Sequence, residues 1–292
     1  MKFMKWMPLY FVLSAVVIAA GLFSMVRWGF KYSIGFTGGS LMEVKYEGVS
    51  PSTNQVETSL KELYNLDSVI TSPSNNSIII KGASIDDPVF IEARKALESL
   101  GQFELIRYES VGPIISGELI KKTIAAVIVV SVIIFGYLGW QFHELRYGVC
   151  AVLAMLHDSL VLLGIFSLLG HFAGIELDVL FVTAMLTALS FSVHDTIVVF
   201  HRIQELKDRF PRASLKDVLD AAITETMSRS INNSVTIILM LLALTLLGGA
   251  SLYAFSLALL IGAITGTYSS PCIAVPLLLV WHKVELRLRA RN

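Results

Sequence analysis

Residues 178–200 read DVLFVTAMLTALSFSVHDTIVVF, and after the opening aspartate their only ionisable side chains are His194 and Asp195. A run of about 20 apolar residues is long enough to cross a bilayer as a helix. An ionisable group inside such a run is costly and usually faces a bundle interior or a water-filled cavity. This stretch therefore settles the class of protein and marks Ser190 to Thr196 as the place to look for its chemistry. A second adjacent pair, His157-Asp158, lies in another apolar run.

The rest of the chain agrees in character. It has 292 residues, 54% hydrophobic and 16% charged, with a mean hydropathy of +0.68. That is too apolar for an ordinary soluble domain. The formal net charge is zero, so no global charge points to nucleic acid. Cys150 and Cys272 both fall in apolar runs and read as small core residues rather than a disulfide.

Six apolar runs are long enough to span, at roughly 7–26, 123–140, 148–170, 178–200, 232–250 and 252–281. The first follows Lys2 and Lys5 but has no small-residue cleavage pattern after it, so it reads as a retained anchor. Lys and Arg concentrate on one side of this six-span arrangement, from Arg146 and Arg202 through Arg229 to Arg287, Arg289 and Arg291 in the tail. The loops His171 to Leu177 and Gly248 to Ser251 on the other side have none, which predicts cytoplasmic termini.

Residues 27–122 have soluble composition. Leu41 to Tyr46 alternates like a strand, and Pro51-Ser52 opens a helix with Val56, Leu60 and Leu63 on one face. Short strands follow at Ser68 to Thr71 and Ser77 to Lys81, joined by a turn at Pro73-Ser74-Asn75-Asn76. A helix capped at Asp87-Pro88 and a last strand from Phe103 complete a β-α-β-β-α-β order. The expected fold is a polytopic α-helical membrane protein with six transmembrane helices. One α+β ferredoxin-like (βαββαβ) extracytoplasmic domain stands between helices 1 and 2. The expected segments are 1–26 (N-terminus and first helix), 27–122 (soluble domain), 123–281 (helices 2–6) and 282–292 (basic tail). Residues 202–229 read as one amphipathic cytoplasmic helix.

Antiparallel spans place Asp195 of the fourth and Arg229 of the fifth at comparable depth, so the two are expected to face each other. A carboxylate whose hydration and arginine contact change between conformations takes up and releases a proton. The alternative is that Asp195 only ties helices together, and that Arg229 snorkels to the interface. For His157 and Asp158, with Ser192 and Asn232, structural anchoring is the leading reading. No further His, Cys or Glu stands at ligand spacing on either span, so no metal is expected. No Gly-x-Ser-x-Gly, His-Glu-x-x-His or P-loop pattern occurs, so neither a cofactor nor an enzymatic activity is expected. Gly262 and Gly266 form a small-xxx-small packing pattern, and Pro271 and Pro276 interrupt the sixth span.

Taken in order, several motifs resemble the SecF family of protein-secretion subunits. They are Phe36-Thr37-Gly38-Gly39, Val111-Gly112-Pro113, His157-Asp158, Asp195 to Ile203, Glu225-Thr226, Ser228-Arg229 and Gly266 to Ser270. The resemblance implies the resistance-nodulation-division superfamily and one half of a pseudosymmetric pair. It also implies SecD, the Sec channel (SecYEG) and unfolded exported polypeptide as partners, in the prokaryotic cytoplasmic membrane, with no nucleic acid. Proton-motive force would drive the work, through Asp195 and Arg229. The chain departs from the family pattern at His194, where Asn is usual, and at Gly35, where Asp is usual. His201 and Gln204 replace a common Asp and Arg. His194 is therefore either an added relay group or a bulkier hydrogen-bonding replacement. Half of a small-molecule exporter and a passive translocon scaffold are the competing readings.

Overall fold

The structure is a computed structural model that describes residues 2–47, 50–61, 63, 65–72, 77–142 and 144–289. The expected turn at 73–76, with its Asn75-Asn76, and Arg291 of the tail lie outside them. In chain order the elements are α1 Met7–Arg27, α2 Ile34–Thr37, β1 Gly39–Tyr46, α3 Thr53–Leu60, β2 Leu66–Ser72, β3 Ser77–Gly82, α4 Asp87–Glu98 and β4 Phe103–Val111. The long helices α5 Pro113–Phe142, α6 Leu145–Ala173, α7 Val179–Arg209, α8 Leu215–Leu247, α9 Ala250–Ser269 and α10 Val275–Arg289 follow. Among the described residues, six helical spans are long and apolar enough to cross a membrane, with α9 and α10 counting as one. Residues 32–124 form one compact unit, and 1–31 with 125–292 form another.

In the smaller unit the four strands make one antiparallel sheet in the order β2-β3-β1-β4. Val56 and Leu60 of α3 and Ala93 and Leu97 of α4 pack with Met42, Val44, Ile78 and Ile80 of the sheet. The period-2 and period-3.6 apolar patterns meet there and are covered together. Ser52 caps α3 with a reciprocal Ser52–Gln55 capping box. The cap of α4 is Asp86, one residue before the expected Asp87, which instead enters the first turn. An aspartate is favourable there, beside the free N–H groups of the helix start.

In the larger unit α6, α7 and the α9–α10 span are the most buried helices, while α1, α5 and α8 present most of their surface outward. Three departures from the sequence reading matter. The helices α5 and α8 start well before the expected 123 and 232, because no Pro falls within 114–123 or 215–232 to stop them at the membrane surface. Residues 202–229 are not one amphipathic helix: α7 ends at Arg209 and α8 begins at Leu215. Pro211 keeps the preceding Phe210 out of the α-helical region (φ −126°, ψ 65°), and Ser214 then caps α8 by accepting from the Asp217 N–H. In the sixth span, Ser270–Ala274 form a π-helical turn. Pro271 lacks the N–H needed for an α-helical bond, and the wider turn accommodates its ring.

Candidate functional site

Asp158 is close to the middle of the 29-residue α6 and is 4% exposed. Its carboxylate has three partners. His157 Nδ1 lies 2.9 Å from Oδ1, and Ser192 of α7 and Ser269 of α9 both donate to Oδ2, the latter at 2.7 Å. The π-helical turn follows Ser269 directly, and such turns are frequent at functional sites. The chain of contacts continues outward. His157 Nε2 lies 3.0 Å from Ser14 Oγ of α1, and Ser14 lies 2.8 Å from the Tyr268 hydroxyl, which donates to the Tyr10 carbonyl. Thr196 and Ser270 pair beside it at 2.9 Å. Four spans are tied by one buried network in which every polar group named has a partner, as such groups require in a low-dielectric interior.

Asp195 lies on the same helix as Ser192, one turn further along, and is 8% exposed. Its Oδ2 accepts from Ser230 Oγ of α8 at 2.8 Å. His194 Nδ1 stands 3.9 Å from Oδ1, beyond hydrogen-bond distance, and the His194 side chain is 71% exposed. The expected Asp195–Arg229 pair is not formed. Successive helical residues point about 100° apart, so Ser230 faces α7 and Arg229 is exposed. Asn232 is exposed on α8 as well. A cavity of about 20 Å³, large enough for a single water, adjoins Asp195 and is lined by His194, Asn233, Ser234 and Thr267.

The close approach of α7 and α9 is what brings Ser192 to Ser269. A Cβ on Gly262 would lie 2.2 Å from the Cβ of Ala188, and one on Gly266 would lie 2.9 Å from the Cβ of Ser192. Among the described residues, no three His, Cys, Asp or Glu side chains converge as a metal site would need. The sequence reading singled out both carboxylates but missed Ser14 and Ser230, the hydroxyls that reach them from neighbouring helices. Ser14 is a lone serine in an apolar span, and Ser230 is one of several polar residues between Ser228 and Ser234, so neither stood out.

A family model for the protein export membrane protein SecD/SecF C-terminal region matches residues 92–284, which hold His157, Asp158, Ser192, Asp195, Arg229 and Ser269. The chain belongs to the SecD/SecF family. Its relatives include the protein translocase subunits SecF of Thermobaculum terrenum and Anaerolinea thermophila. Each is 36% identical, over 99% and 96% of this chain and 96% and 93% of theirs. Among solved structures it is similar to the crystal structure of SecDF, a translocon-associated membrane protein, from Thermus thermophilus. The TM-score is 0.86 at 28% identity, over 97% of this chain but 39% of the SecDF chain. A SecDF structure in a super-membrane-facing form matches with a TM-score of 0.71, again over 40% of its length. This SecD/SecF-family chain is thus a multi-pass membrane protein that spans nearly all of a SecF and well under half of a SecDF.

Proposed function

We propose that this chain is the SecF half of a proton-driven, non-enzymatic accessory to the Sec channel, with SecD as the other half. The observation that carries this reading is Asp195, a buried carboxylate with a single hydroxyl donor, set beside a water-sized cavity in mid-helix. Asp158, by contrast, has three partners. Asp195 has an acceptor oxygen to spare for a proton delivered by water. Arg229 and His194 are the exposed charged or titratable groups nearest in sequence to it and to Ser230.

Exposed His194, Arg229 and Asn232 are poorly matched to hydrocarbon, because polar side chains at membrane depth face protein or a water-filled space. A second six-span half fits that requirement, and the SecDF chains, more than twice as long as the matched part, supply its counterpart. In the cycle proposed here, a turn of α8 by about 100° brings Arg229 toward Asp195 after the proton leaves. Each charge moved through the potential supplies about 2.3 kcal/mol per 100 mV. The sheet order of the smaller unit supports a ferredoxin-like class. We assign this unit to the extracytoplasmic side, toward the emerging unfolded polypeptide, with both termini cytoplasmic near SecYEG. The lack of Lys and Arg in the loops 171–177 and 248–251 supports that orientation.

The test is export into inverted membrane vesicles with and without an uncoupler. Asp195→Asn is expected to abolish the part of export that the uncoupler removes and to spare the remainder. Undiminished gradient-dependent export in that variant would leave the chain a passive scaffold.

A further inference from the structure

Three helix ends and the first half of α10 meet on the Lys- and Arg-rich side of the bundle: the starts of α6 and α8 and the end of α7. Between them is a cavity of about 200 Å³, well above the space of one water. Its floor is apolar and buried, made by Ile203, Val218 and Leu278. Its rim carries Arg146, Lys207 and His282, and among the described residues no acidic side chain lines it. Arg146 bonds the carboxylate of Glu144, and Lys207 Nζ approaches the same carboxylate at 3.7 Å. Two cations therefore share the Glu144 carboxylate at the mouth.

The polarity of the site runs in one direction, from hydrocarbon below to cation above, at the level where the helices leave the membrane. A free inorganic anion would use the rim and leave the floor bare. A neutral lipid would use the floor and leave the cations unmatched. We propose that this cavity binds the headgroup of one anionic phospholipid. Arg146 and Lys207 would hold the phosphodiester, His282 would donate to it or to the glycerol arm, and the first methylenes would lie against Ile203, Val218 and Leu278. Basic pockets between helices on this side of a membrane recognise anionic headgroups by this chemistry. The proposal does not depend on the transport reading.

The experiment is native mass spectrometry of the full chain, purified in neutral detergent and titrated with phosphatidylglycerol or phosphatidylcholine. Retention of one phosphatidylglycerol and no phosphatidylcholine is the expected result. The double variant Arg146→Gln/Lys207→Gln should weaken that retention about thirtyfold, from the contribution of two cations near a lipid surface. Ala213→Trp places an indole at the cavity mouth and changes no charge, so it should weaken retention as well and decides the matter if the double variant fails to fold. Equal retention of the two lipids, or unchanged retention in the variants, would overturn the proposal. Displacement of the lipid by millimolar inorganic phosphate would overturn it too, by showing a phosphate site.

Discussion

Ser230 Oγ donates to Asp195 Oδ2 at 2.8 Å, whereas Arg229, one residue earlier on the same helix, is exposed. Adjacent residues point about 100° apart on a helix, so in the proposed cycle the exchange of Ser230 for Arg229 is made by a turn of α8 against α7.

Ser230→Ala removes the donor that holds Asp195 in the state seen here. A hydrogen bond to a charged group contributes about 1.5–3 kcal/mol, so gradient-dependent export should fall by about tenfold or more. Ser230→Thr keeps a hydroxyl and should restore most of the loss. Vesicle export rates with and without uncoupler measure both. Equal export by the alanine variant and the parent chain would show that the contact is incidental.

His194 is 3.9 Å from Asp195 and largely exposed, too far to share a hydrogen bond yet near enough for its charge to be felt. For His194→Asn, retained export with an altered pH profile is expected. The profile is measured by varying the pH of the vesicle lumen and medium separately. An unchanged profile would mean that the imidazole serves only to pack.

How much of this was legible in the sequence follows from what lipid permits. Hydrocarbon leaves a backbone little choice but a helix, so six apolar runs declare six spans, and Asp158 and Asp195 declare themselves by being ionisable within them. Their partners do not, because a serine in a helix can satisfy itself on the carbonyl four residues back. Ser159 does this, on Met155. Ser230 and Ser14 instead reach across to another helix, and which serine does so depends on helix rotation. That rotation is set by contacts such as Gly262 on Ala188, which join residues far apart in the chain. The end of the expected surface helix was hidden for a different reason. A single Pro211 broke it, and the rest of the amphipathic stretch continued without interruption into the fifth span.

Gly262→Ala tests that rotation directly. The added methyl would lie 2.2 Å from Ala188 Cβ, and overpacking of this kind costs about 1–3 kcal/mol. A lower thermal midpoint in detergent is expected. Ala188→Gly in the same chain should recover most of it, a coupling that a double-mutant cycle reads out. Additive losses in the double variant would show that α7 and α9 pack differently.

Asp158 is expected to behave as an anchor, in contrast to Asp195. Ser269→Ala deletes one of its donors and should cost about 1.5–3 kcal/mol of stability, measured as a lower thermal midpoint. The folded fraction should still show export that depends on the gradient. Loss of gradient dependence at unchanged stability would make the Asp158 network part of the proton path.

The smaller unit offers a pH test independent of the membrane. Tyr46 is 4% exposed, its hydroxyl donates to the Leu97 carbonyl at 3.1 Å, and burial pushes its pKa up to about 12. The folded state therefore favours the neutral phenol more than the unfolded chain does, where the pKa is about 10. That contribution is complete below pH 10 and is lost as the pH rises from 10 through 12. Tyr46→Phe removes both the ionisable group and the hydrogen bond. Near pH 8 it should cost about 1 kcal/mol, and near pH 11 the deficit relative to the parent chain should shrink or reverse. Thermal unfolding of the two full-length proteins at both pH values measures the difference. A deficit that is the same at pH 8 and pH 11 would show that Tyr46 does not titrate with unfolding.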